Sequence, residues 1–117
     1  MPHDPLHAHA LAKPGAWPDT PFGDEPVAKV GPGPRGKIFA FLGPTTLGLK
    51  CGLTREEADE WLARYPDEAT VMAYIGRSGW NTLRTDGGIP FEELVEAVDD
   101  SYEMVVSRMP RRDRPGL

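Results

Sequence analysis

The sequence predicts an α+β fold in which an antiparallel sheet carries its helices on one face. Three observations predict it. Short runs of alternating or apolar residues, each bounded by glycine or proline, recur along the chain. Two longer stretches place apolar residues at helical spacing behind N-terminal start signals. The connections are short, so successive strands turn back on one another.

Asp4-Pro5 supplies an N-cap followed by proline at the first helical position. The helix it opens runs to about Ala12 and stops before Lys13-Pro14. "PGAWPDTPFGDEP" is dense in proline and glycine and reads as a loop. Val27 to Val30, Lys37 to Leu42 and Leu47 to Cys51 read as three strands of a meander. Thr54 and Glu57 form a capping box, and Ala58, Trp61, Leu62 and Tyr65 share one helical stripe. Val71 to Ile75 and Trp80 to Thr85 are strand-like, with "GRSG" as the turn between them. Pro90 opens a long helix to about Met109, with Phe91, Leu94, Val95, Val98, Tyr102, Val105 and Val106 on its apolar stripe. The expected order is α-β-β-β-α-β-β-α in a single domain over residues 1–117, with residues 110–117 as a flexible basic tail.

At 117 residues the chain suits one domain with its own core. One cysteine forms no internal disulfide. The longest apolar run, Ile38 to Leu42, is far too short to span a bilayer, so no membrane partner is expected. The first residues lack the basic start and apolar stretch of a signal peptide, which points to a cytoplasmic protein. The net charge of -5 argues against a dedicated nucleic-acid coat. The charge is segregated, however. Residues 55–68 carry -4 and residues 86–103 carry -7, which leaves +6 on the remainder.

Strand parity sorts the residues into two faces. Ala28, Val30, Ile38, Ala40, Leu42, Leu47, Leu49, Cys51, Val71, Ala73, Ile75 and Leu83 form an apolar set that should meet the helices. Val27, Lys29, Lys37, Phe39, Phe41, Lys50, Met72, Tyr74, Trp80, Thr82 and Arg84 form the other, which mixes bases with aromatic rings and holds no acid.

Several familiar patterns fall away on inspection. "GPGPRGK" matches G-x-G-x-x-G, but a strand follows it where a phosphate-binding helix is needed, and Pro32 and Pro34 remove backbone donors. Cys51 is in phase with Leu47 and Leu49 and reads as a small interior hydrophobe. His3, His7 and His9 read as a surface cluster, with His3 ahead of the helix cap. The acidic pairs Glu56/Glu57, Asp59/Glu60, Glu92/Glu93 and Asp99/Asp100 fall mostly on solvated helix faces. No catalytic constellation, metal-ligand set or cofactor loop emerges, so neither an enzyme nor a cofactor is expected.

The segments "LAKPGAWPDTPFGDEPVAKVG", "GKIFAFL", "LGLKC" and "YIGRSGWNTLRTDGGIPFEELVEAVDDSYEMVVSRMP" together resemble the MmcQ/YjbR family of small bacterial proteins. The "GPGPR" turn and the "RRDRPGL" tail depart from that pattern. The resemblance implies an antiparallel α+β fold of the secretion-chaperone-like kind and a DNA-binding label.

The functional expectation is nucleic-acid binding, DNA or RNA, on the basic-aromatic face. Lys29, Lys37, Lys50, Arg77 and Arg84 would meet phosphates, and Trp80 and Asn81 would stack or hydrogen-bond. Two arrangements of this face stay open: bare, or covered by another element with the aromatics as core. The alternative function is a protein-interaction domain that docks an acidic partner or a second copy of the chain.

Overall fold

The computed structural model describes residues 4–115. In chain order the elements are α1 (Pro5–Leu11), β1 (Ala16–Phe22), β2 (Glu25–Val30), β3 (Lys37–Leu42), β4 (Thr46–Lys50), α2 (Arg55–Arg64), β5 (Ala69–Val71), β6 (Trp80–Arg84) and α3 (Phe91–Ser107). The strands form one six-stranded sheet in the order β1-β2-β3-β4-β6-β5, with every neighbouring pair antiparallel.

Two elements differ from expectation. The proline-rich segment is not a loop but the edge strand β1, paired with β2 from Ala16 opposite Val30 to Phe22 opposite Glu25. An edge strand needs only half its backbone donors, so Pro18 and Pro21 are tolerated there. The second correction concerns β5, which ends at Val71. Residues 73–75 form a turn, and Gly76–Ser78 is a short 3-10 helix leading into β6. The direct hairpin expected around "GRSG" is therefore a longer excursion.

α1 and α2 begin where side-chain caps start them. Asp4 Oδ1 accepts from the backbone N–H of Leu6 at 2.8 Å and of His7 at 3.3 Å. Thr54 Oγ1 accepts from Glu57 N, and Glu57 Oε1 accepts from Leu53 N at 2.9 Å, so the capping box closes one residue early. In α3, Leu94, Ala97, Val98, Ser101, Tyr102 and Val105 are buried against β3, β4 and α1. Phe91, expected on that stripe, is exposed.

A β-bulge disturbs the strand parity. Opposite β2 the register slips between Ala28, which faces Ala40, and Lys29, which faces Ile38, so Phe39 is left over. A bulge puts consecutive side chains on one side of the sheet. Phe39 therefore joins Ala40 on the helix face, where it is fully buried and meets Tyr102 edge-on at 5.1 Å. Beyond the bulge, Lys37 lies opposite Val30 and Ile38 opposite Lys29, the reverse of a regular alternation. The β3–β4 ladder begins at Ala40 opposite Leu49. The next rung is closed by α3 instead. Ser101 Oγ donates to Phe39 O at 2.6 Å and accepts from Lys50 N at 2.9 Å.

Candidate functional site

The seven residues expected to meet a ligand are dispersed. Trp80 and Lys50 are opposite one another across β6 and β4. Both are buried, at 9% and 6% exposure. Trp80 packs edge-on to Phe41 at 5.8 Å. Lys50 Nζ donates to Ser78 O beneath the 3-10 turn. Burial away from water, with Arg108 nearby, lowers the Lys50 pKa from its ordinary value. Neither side chain is presented to a ligand.

Asn81 lies on the opposite face, fully buried under α2. Its Nδ2 donates to Ala58 O at 2.9 Å, and its Oδ1 accepts from Arg55. The same guanidinium donates to Gly76 O at 2.7 Å, to Trp80 O at 3.1 Å and to Asp59 at 2.8 Å. Arg55 thus ties both ends of the turn to α2, so Asn81 is a structural group rather than a reader of bases.

The other cations are exposed or half-exposed but separated. Arg77 sits on the 3-10 turn. Arg84 is held by Asp86 through two bonds of 3.0 and 3.2 Å, which keep the Asp86 carboxyl below its usual range. Lys29 pairs with Asp19 at 2.8 Å and lies over the Trp17 ring. Lys37 is exposed at the start of β3.

Two surfaces stand out, and the first keeps Phe41, Met72, Tyr74 and Thr82 of the expected face without its bases. The first is a groove of about 750 Å3 on the sheet face away from the helices. Phe41, Gly48, Met72 and Thr82 contribute its floor, and Phe22, Asp24, Glu25, Pro26 and Ala73 to Ile75 its rim. Its floor is made possible by glycine: a Cβ at position 48 would stand 2.0 Å from Met72 Cε and 3.0 Å from Phe41. The charges at this groove are acids, Asp24 and Glu25, with no lysine or arginine in its lining.

The second surface lies at the other end of β2 and β3. Asp113, the lone acid of the "RRDRP" segment, is only 4% exposed. Its Oδ1 accepts from Arg35 Nε at 2.9 Å and faces Arg112 Nε at 3.7 Å. This contact seats the C-terminal segment, expected as a flexible tail, on the β2–β3 turn; residues 116 and 117 lie outside the described residues. Arg114 donates to the carbonyls of Met109 and Ser107. Arg108, Arg111, Arg112, Arg114, Arg35 and Lys37 are exposed around this end. Trp17 stands beside them, half-buried, with Nε1 bonded to Gly31 O at 2.9 Å and its ring against Gly36.

The remaining candidates settle into structure. Burial pushes the Cys51 thiol up to about 12, so it stays protonated. His7 bonds to Gly43 O at 2.8 Å and His9 to Asp99 at 2.7 Å, while His3 lies outside the described residues. Among the described residues no helix is long and apolar enough to cross a membrane, and no group of three or more His, Cys, Asp or Glu is placed to hold a metal ion.

Sequence reasoning missed Arg55, Asp113 and the groove rim. Arg55 and Asp113 each stand out by sign, as a base at the head of an acidic helix and an acid inside a basic tail. The rim is hidden because the segment that supplies Phe22 to Pro26 carries the signature of a loop, and residues 73–75 that of a strand.

No curated protein matches the chain. Among solved structures it is similar to the Deinococcus radiodurans protein DR2400, described by its DUF419 domain. The TM-score is 0.80 at 24% identity, over 92% of this chain and 81% of that one. That likeness shows the shared α+β fold. The YjbR family model matches residues 11–104, from the end of α1 through most of α3. On the strength of that match, the chain belongs to the YjbR family.

Proposed function

We propose that the protein binds the phosphate backbone of nucleic acid through the cationic end built on the β2–β3 turn and the C-terminal segment. The observation that carries this reading is the buried Asp113 carboxylate, bonded to Arg35 and beside Arg112. It gathers exposed arginines from two distant parts of the chain around one interior acid. Arginine suits this role because its planar fork matches phosphate oxygens. Trp17, half-buried beside the cluster, adds an aromatic surface on which a base could stack. Lys50, Trp80 and Asn81 have no part in it, because each is committed to internal contacts.

Fluorescence anisotropy of labelled single-stranded DNA, duplex DNA and RNA oligonucleotides tests the reading at low and rising salt. Binding is expected at low salt with a linear loss on the logarithmic scale. Arg111→Gln with Arg112→Gln should reduce the salt slope by about one unit per cation removed, alike for all sequences. Lys50→Met should leave binding unchanged. A protein that gives no salt-dependent signal with any of these probes does not have this function.

A further inference from the structure

The sheet-face groove is unconnected with phosphate binding, since its charged groups are acids. We propose that it docks a segment of another protein in which apolar side chains alternate with lysine or arginine. Three observations select that occupant.

The first is charge. Asp24 and Glu25 are exposed at the rim, and no base lines the groove. Acids at this position repel nucleic acid and anionic lipid surfaces and attract a cationic segment. The second is apolar exposure. Phe22, Tyr74 and Ile75 at the rim are three of the exposed large hydrophobic residues, gathered at one groove. Exposed apolar area of this kind, rimmed by charge, marks a protein contact. Phe22 is already stacked on Phe41 at 6.2 Å, so its ring extends the groove floor outward.

The third is the backbone at Tyr74. Its φ of 68° is the only positive value among the described non-glycine residues. The N–H of Ile75 donates to Ala73 O at 2.8 Å across it, closing a three-residue γ-turn. Such turns are rare and strained, and glycine would adopt this one freely. The strain secures no internal contact for the side chain, because the Tyr74 ring is fully exposed. Its consequence is to hold an aromatic ring out into solvent beside an apolar groove. Rigid, amphipathic aromatic anchors of this kind dominate the energetics of protein interfaces. The groove therefore receives apolar side chains of the partner, Asp24 and Glu25 meet its cations, and Tyr74 covers the bound segment.

The probe is a fluorescein-labelled peptide alternating lysine with leucine, titrated with the full chain and followed by anisotropy. A glutamate–leucine peptide of the same length is the counterpart. The lysine–leucine peptide should bind and the glutamate–leucine peptide should not. Asp24→Asn with Glu25→Gln should weaken binding about tenfold, as for a pair of rim charges. Tyr74→Gly should weaken it by about tenfold, as for an interface anchor, while raising the Tm, because the strain is relieved. That opposite movement separates a docking role from a structural one. The proposal is overturned if neither peptide binds, if both bind equally, or if either variant binds like the unaltered chain. It is also overturned if sedimentation shows a dimer that Tyr74→Gly dissolves, since the occupant would then be a second copy.

Discussion

The guanidinium of Arg55, in the first turn of α2, donates to the buried carboxamide oxygen of Asn81 near the start of β6. Around this pair the helix, the strand and the 3-10 turn are fastened together. Arg55→Ala removes the partner of a buried acceptor as well as the bonds to Gly76 O and Trp80 O. The expected cost is about 2–3 kcal/mol. Arg55→Lys should recover little of it, since one ammonium cannot span the fork. A double-mutant cycle with Asn81→Ala, read by urea denaturation, should show coupling rather than additivity.

Phe39 and Phe41 stand two residues apart, yet the bulge separates them. Phe39→Ala should cost about 3–5 kcal/mol, because it empties a buried site against Tyr102. Phe41 is half-buried on the groove side, and its replacement by alanine should cost about half as much or less. Equal costs would mean that both rings share one environment and that β3 has no bulge.

Two glycines make contrasting demands. A Cβ at Gly48 would press on the end of the Met72 side chain, and one at Gly79 would stand 2.0 Å from the Gly52 carbonyl oxygen, with φ at +97°. Gly48→Ala should cost about 1–3 kcal/mol by overpacking, and Met72→Ala should offset part of it. Gly79→Ala should be the more damaging and should find no such rescue, because a backbone atom cannot step aside. Thermal unfolding of the single and paired variants separates the two cases.

Asp99 joins α1 to α3, accepting from Lys13 at 2.9 Å and pairing with His9 at 2.7 Å. Burial alone would raise its pKa, but the Lys13 and His9 hydrogen bonds together hold it below the ordinary carboxylate value. A lowered folded pKa gives stability that is fully present above the unfolded value of about 4 and is lost as pH falls through the folded value. Asp99→Asn should therefore lower stability at neutral pH by about 0.5–1 kcal/mol, given the partial exposure of all three groups. The difference from the unaltered chain should shrink toward zero in strong acid. A Tm difference that is flat from neutral to strongly acidic pH would contradict this linkage.

The helices and central strands were legible because caps and periodicity are local signals. Thr54, Glu57 and Pro90 announce their elements within a few residues. The edge strand β1 was not legible, since its prolines carry the local signature of a loop and only pairing with β2 makes it a strand. The candidate face failed for a related reason. Parity assumes an unbroken ladder, and a single extra residue at Phe39 turns the basic end of β3 over. Burial of Lys50 and Asn81 depends on partners far along the chain, at Ser78 and Arg55, which no spacing rule connects. The segregation of charge was legible, but the acid that organises the cationic end, Asp113, has meaning only beside Arg35.

The prolines of β1 have an effect beyond their own strand. A sheet is open to growth at its two borders, and a neighbouring molecule can add a strand wherever donors and acceptors stand free. Along β1, Pro18 and Pro21 have no donor to offer, and along the far border β5 presents only Ala69–Val71. One border is chemically blunted and the other is too short to template a ladder. The protein can therefore expose aromatic rings on its sheet while remaining protected against edge-to-edge polymerisation.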